Sequence, residues 1–216
     1  MKVGMALSQP PLPEGGAPGK CAIGLLRGLV ANGIEVRAVA AGRSFDGVAA
    51  GAEVPPDLPV RVLAAPEVLS RSRARCSKVL RPGGELGRGP FEQAFRTVAS
   101  DVDLLHLEEV ETGWCGRGLR QPRVLHVHYL TREDRRGQVW APGVLHAAEL
   151  AYAEARLARA HRWLLASSPL VAARLRHLIP YRGWLVKGVG GGALVRPGPP
   201  RVKGAARPCG TGCAGP

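Results

Sequence analysis

The chain has 216 residues, 45% of them hydrophobic and 5% aromatic, enough for one large or two small domains cored mainly by Leu, Val and Ala. It has no run of about 18 apolar residues, and Lys2 leads into a strand pattern broken by prolines rather than the apolar stretch of a leader. These features exclude a transmembrane span and a signal peptide and leave a cytoplasmic protein as the expectation; the formal net charge of +13 is concentrated after Glu154, where residues 155–216 hold 11 of the 30 bases and none of the 17 acids.

The apolar run Val3–Leu7 predicts a short buried strand. Gln9–Gly19, rich in proline and glycine, predicts a loop. Cys21–Val30 carries its apolar residues on one helical face, and Asn32-Gly33 supplies a left-handed stop. Ile34–Val39 predicts a second strand. Residues 1–40 thus read as a βαβ unit with a glycine loop at the carboxyl end of its first strand, the edge at which open α/β sheets bind ligands.

Further along, Pro59–Leu63 predicts a short strand. Arg71–Gly89 is basic and glycine-rich and reads as a loop, with a helix over Glu67–Leu80 as the alternative for its first part. Phe91–Ser100 places Phe91, Ala94, Phe95 and Val98 on one helical face. Asp103–Leu107 predicts a strand closing on Glu108-Glu109, and Thr112-Gly113-Trp114 predicts the start of a short helix. Gln121-Pro122 introduces a strand over Arg123–His128, followed by a charged loop, Tyr129–Gln138. The longest helix is expected over Gly143–Ala160, then a strand over Arg162–Ala166. Ser167-Ser168 caps a helix over Pro169–Leu178, with Pro169 at the favoured first position. Gly183–Val186 predicts a last strand.

Strands and helices alternate five or six times, which predicts an α/β fold: a single Rossmann-like domain over residues 1–186, with a mostly parallel sheet and helices on both faces. Residues 187–216 are rich in Gly, Pro and Arg without periodicity and are expected to form an irregular, disordered tail. The segment Gly190–Pro216 has no aromatic residue to interleave with its bases, so nucleic acid is not the expected partner. A solvated basic surface that touches anionic lipid at the inner membrane face is expected instead.

Three loops at strand carboxyl ends can share one crevice: Gln9–Gly19, Glu108–Gly113 and His128–Arg136. Gly15-Gly16 lets the backbone approach an anion beside the free N–H groups of the following helix, or else forms a plain strand–helix connection. The P-loop pattern fails, because Gly19-Lys20 is followed by Cys21 and preceded by Glu14 where a glycine is needed. The dinucleotide pattern fails because the two glycines are adjacent. His128 ends a buried strand and can hydrogen-bond a sugar or phosphate or move a proton; the alternative is an imidazole bonded to backbone. His126 shares its face but lies deeper and reads as structural, and His106 is a lesser candidate. Glu108 and Glu109 are adjacent on an extended chain, so at most one of them enters the crevice, unless both are solvated. His126 and His128 could hold a metal, but no third ligand is evident in sequence, and no metal site is expected. Cys21 and Cys115 read as small core residues in helices. Cys209 and Cys213 form a close pair without a second pair or a histidine, which supports neither zinc nor a disulfide framework.

Four stretches, in this order, resemble the N-terminal domain of GT-B-fold glycosyltransferases of the family 4-like group. They are Pro10-Pro11 through Gly15-Gly16 with Asn32-Gly33-Ile34-Glu35-Val36; Asp101–Glu108; Pro122–His128; and Glu154 through Ala166-Ser167-Ser168. The resemblance spans Met1 to Leu185. It implies transfer of a sugar, with retention, from a nucleotide-sugar donor such as a UDP- or GDP-sugar to a sugar, lipid or small-molecule acceptor, without a metal requirement. It further implies that Gly15 and Gly16 lie against the donor diphosphate or acceptor, that His128 lines the cleft as the catalytic candidate, and that Glu108 and Glu109 fall where acceptor contacts lie. Tyr129 stands where that family often has Asp or Thr. Such enzymes carry a second, donor-binding domain that these residues do not encode, and the tail resembles a truncated or frameshifted end. The expectation is therefore half an enzyme, inactive alone, which needs a further domain or a partner chain. A non-catalytic nucleotide- or sugar-phosphate-binding module is the alternative.

Overall fold

A computed structural model of the chain describes residues 1–42, 53–63, 86–128, 130, 152, 154–157, 159–178, 184–187 and 194–195. Most of the loop expected over Arg71–Gly89, the alternative helix at Glu67–Leu80, nearly all of the charged loop after His128, the first part of the Gly143–Ala160 helix and most of the tail lie outside these residues.

In chain order the elements are β1 (Lys2–Leu7), α1 (Ala17–Ala31), β2 (Glu35–Ala41), β3 (Val60–Leu63), α2 (Gly89–Ala99), β4 (Leu104–Glu108), β5 (Arg123–Val127), β6 (Trp163–Ala166), α3 (Pro169–Leu178), β7 (Trp184–Lys187) and β8 (Leu194–Val195). The strands form one sheet in the order β3-β2-β1-β4-β5-β6-β7-β8. Neighbours from β3 through β7 are parallel, and β8 alone runs antiparallel, against β7. The Rossmann-like α/β fold expected from sequence is therefore the fold observed. The order reverses between β1 and β4, so the loops leaving those two strands diverge and open a crevice at their carboxyl ends.

The period of two along the strands divides the core. On one face Val3, Met5 and Leu7 of β1 and Val36, Ala38 and Ala40 of β2 pack against Ala22, Ile23 and Leu26 of α1. On the other face Ala6, Val39, Leu105, Leu107, Leu125 and Val127 pack with Phe91 and Phe95 of α2. Both phenylalanines are almost fully buried, and each contributes about 1.5–3 kcal/mol by leaving water. One consequence fixes the chemistry of the crevice. Leu105, Leu107, Leu125 and Val127 occupy the α2 face, so alternation puts His106, Glu108, His126 and His128 on the α1 face.

Four local expectations need correction. Thr112-Gly113-Trp114 does not open a helix: a 3-10 turn over Val110–Thr112 ends there. Cys21 is exposed on α1 rather than in the core, and Cys115 is buried but sits in a turn. Leu194–Val195, placed by sequence in an irregular tail, forms β8, because a short apolar pair can add to an open sheet edge. Ser167 and Ser168 do not share the capping role. Ser168 Oγ accepts the Val171 N–H at 3.2 Å, while the Ser167 hydroxyl donates to the His128 carbonyl at 2.6 Å. Among the described residues no helix is long and apolar enough to cross a membrane.

Candidate functional site

The crevice floor is built from two His-containing dipeptide repeats on neighbouring parallel strands. β4 carries His106-Leu107-Glu108, and β5 with its next residue carries His126-Val127-His128. The register sets Glu108 opposite His126 and His106 opposite Val124. The three imidazoles converge on the carboxylate of Glu108, a residue only 2% exposed. Its Oε2 lies 2.6 Å from His106 Nε2 and 3.2 Å from His126 Nδ1, and its Oε1 bonds His128 Nε2. An ionised carboxylate only accepts, so each of these nitrogens carries the proton and donates. The imidazoles of His126 and His128 also lie against each other, with ring centres 4.1 Å apart.

Burial by itself would push the Glu108 carboxyl up. Hydrogen bonds from His106, His126 and His128 outweigh it and hold the group well below the usual carboxylate range, so it is ionised in a dry place. Burial pushes His126 down, against the pull of Glu108, so this imidazole is neutral near pH 7.

Glu109 takes the opposite course. Burial first, then the charges of Glu111 and Glu108, push its carboxyl well above the usual range, and its Oε1 is buried without a hydrogen-bond partner. Its backbone has φ 71, the left-handed region that non-glycine residues seldom adopt. The alternation rule that would send Glu108 and Glu109 to opposite faces ends at this residue, and both acids are buried, neither of them solvated. Two hydroxyls hold the strand ends in place. Thr112 Oγ1 lies 2.8 Å from the Glu108 carbonyl and 3.1 Å from that of Glu109, and Ser167 Oγ holds the His128 carbonyl.

Gly15 and Gly16 sit at the entry to α1, with Gly16 as its N-cap residue in extended conformation. The Gly15 N–H bonds the Leu12 carbonyl at 3.0 Å, and the Gly16 carbonyl accepts from Lys20 at 3.2 Å. A side chain on Gly15 would place its Cβ 3.0 Å from the Leu12 carbonyl oxygen, a tight approach that favours glycine in this turn. One turn on, the Cys21 thiol is pushed up by partial burial and then by the charges of Glu108 and Glu109, which sets the first turns of α1 beside the acidic pair.

The structure thus joins Glu108 and His128 directly and keeps the glycine pair at the neighbouring helix entry. It also brings in His106 and His126, which sequence reading ranked as a lesser candidate and as structural. Beside the His126–His128 pair, the structure brings a different trio together: one possible ligand atom each of His106, Glu108 and His126 lie within 4.8 Å of one another. The pointer was present in sequence as a His-x-Glu on one predicted strand and a His-x-His on another, but only the sheet order shows that those strands are neighbours.

No known family pattern and no curated protein matches the sequence. The fold is similar to that of a sucrose-phosphate synthase from Thermosynechococcus elongatus, with a TM-score of 0.58 and 16% identity. The match covers 87% of this chain and 47% of that one, so the chain spans about half the length of the solved structure it resembles. A likeness at this identity shows the fold alone, a Rossmann-like α/β domain.

Proposed function

We propose that this chain is the acceptor-side domain of a retaining, nucleotide-sugar-dependent glycosyltransferase of the family 4-like kind. The observation that carries the reading is the position of His128: it lies at the carboxyl end of β5, one strand from the point where the strand order reverses, in a fold similar to that of a sucrose-phosphate synthase. The Nε2–H donates to Glu108, which leaves the lone pair of Nδ1 to accept from a ligand hydroxyl. Gly15 and Gly16 would face the phosphate-bearing group from the α1 entry, and Glu109 would meet the acceptor. The donor is a UDP- or GDP-sugar and the acceptor a sugar, lipid or small molecule.

Transfer in a cleft of this kind needs preorganised groups from both walls. These 216 residues match 47% of the similar enzyme's chain and supply one wall. Binding without turnover is therefore the expected behaviour of the 216-residue chain. Calorimetry against UDP- and GDP-hexoses and hexose phosphates tests the reading. It predicts that at least one of them binds and that His128→Ala weakens the binding tenfold or more, which is about 1.4 kcal/mol. A panel in which nothing binds, or binding indifferent to His128→Ala, would overturn it.

A further inference from the structure

We propose that His106, Glu108 and His126 form a binding site for a divalent transition-metal ion, of which Zn2+ is the best match. The proposal stands on geometry and does not depend on the sugar-transfer reading. Two imidazoles and one carboxylate are a complete three-ligand set for zinc, and such sets leave a fourth position for water or a substrate oxygen. Here the three come from adjacent parallel strands whose register is fixed by a ladder of four residue pairs. Their side chains are 9%, 3% and 11% exposed, so no water competes freely for the ligand atoms.

The three ligand atoms lie within 4.8 Å of one another, close enough to meet at one ion once the shortest pair opens. Glu108 Oε2 lies 2.6 Å from His106 Nε2 and 3.2 Å from His126 Nδ1. Ligands about 2.0–2.2 Å from a tetrahedral ion stand about 3.3 Å apart, so the first pair must open by about 0.7 Å and the second already fits. On binding, the proton on each facing nitrogen of the neutral rings passes to the other nitrogen of the same ring, and the facing nitrogen donates its lone pair instead. The remaining oxygen, Oε1, keeps its bond from His128. That is the outer hydrogen bond a ligating carboxylate ordinarily has. The ion would therefore sit one hydrogen bond behind His128, at the floor of the crevice between β4 and β5. The main-chain supports of the site, Thr112 to the Glu108 carbonyl and Ser167 to the His128 carbonyl, are in place without the ion.

The test is titration of the full chain with Co2+ as a spectroscopic substitute, followed by displacement with Zn2+. The expected result is one equivalent bound, visible d–d absorption, and no thiolate-to-cobalt charge transfer. X-ray absorption of the zinc-loaded chain should show a nitrogen and oxygen shell with scattering from two imidazoles and no sulfur; this needs no variant and so is immune to a folding defect. The double variant His106→Ala with His126→Ala should bind at least about 100-fold more weakly, a larger loss than outer-shell changes cause, while His161→Gln, which changes a histidine outside the ligand set, should bind as the parent does. Absence of stoichiometric binding, sulfur in the shell (which would place the ion on Cys209 and Cys213), or unchanged affinity in a folded double variant would overturn the proposal.

Discussion

Glu108 Oε2 lies 2.6 Å from Nε2 of His106, two residues earlier on the same strand, so β4 presents an acid–imidazole pair on a single face. The same carboxylate takes hydrogen bonds from His126 and His128 on β5, which makes it the cross-link between the two strands at the crevice. An amide at this position has one acceptor oxygen, and its NH2 group points donors at donors. Glu108→Gln is therefore expected to destabilise the metal-free chain by about 1–3 kcal/mol. Urea unfolding should show a lower midpoint with an unchanged slope, since the surface exposed on unfolding stays the same. A midpoint equal to the parent's would mean that the three imidazoles do not depend on the carboxylate.

The same substitution one residue later should behave differently. The Glu109 carboxyl is pushed up by burial and by neighbouring acids, and its Oε1 has no partner. A carboxyl that stays protonated resembles an amide in shape and charge, so Glu109→Gln is expected within about 1 kcal/mol of the parent. Glu109→Gly removes a side chain from a residue at φ 71 and so relieves backbone strain of about 1 kcal/mol or more. Parallel unfolding curves check the ranking: Glu108→Gln falls well below both Glu109 variants.

The elements of this fold were legible because hydrophobic period and punctuation agree. Val3–Leu7, Asn32-Gly33 and Ser168-Pro169 each mark a boundary that the structure keeps within a residue or two. The meeting of His106 with His126 was not legible. Nothing in either strand announces that β4 and β5 are neighbours, and pairing between strands distant in sequence is set by the packing of the whole sheet. The burial of Glu109 is not legible for a local reason: its positive φ cannot be read from a Glu-Glu pair, so solvation of both acids stays open in sequence and only the structure closes it. Ser167 was assigned to a helix cap because Ser-Ser-Pro fits that role, yet only one serine can serve as N-cap and the other is free to hold His128.

A steric prediction concerns Gly113, behind the site. A Cβ there would lie 2.6 Å from Leu157 Cδ2 and 3.2 Å from the Val110 carbonyl oxygen. Leu157 is fully buried and cannot swing into solvent. Gly113→Ala is expected to destabilise by about 1–3 kcal/mol. Leu157→Ala alone should cost about 2–5 kcal/mol. In the double variant the two losses should sum to less than their total, because the alanine methyl occupies part of the space that the leucine vacates. A double-mutant cycle by thermal or urea unfolding measures that coupling; strict additivity would show that the two residues do not meet.

The last prediction concerns acid. His161 is buried, with Nδ1 donating to the Leu157 carbonyl at 2.8 Å. Burial first, and then the charge of Arg123, lower it from the ordinary 6.5 to about 4. A histidine depressed in the folded state binds fewer protons there than in the unfolded chain, so its contribution is fully present above pH 6.5 and is lost as pH falls toward 4. The loss approaches about 1.4 kcal/mol per pH unit within that window, roughly 3 kcal/mol in total. His126, also lowered, adds a loss of the same sign, whereas Glu109, raised, stabilises increasingly as pH falls. Glu108, held low, contributes its own loss only under more acid conditions. The difference between the parent and His161→Gln isolates the first of these. Unfolding free energies measured from pH 7.5 to 4 should fall more steeply for the parent than for the variant. Parallel profiles would mean that His161 is protonated in the folded chain, which its unpartnered Nε2 and its burial argue against.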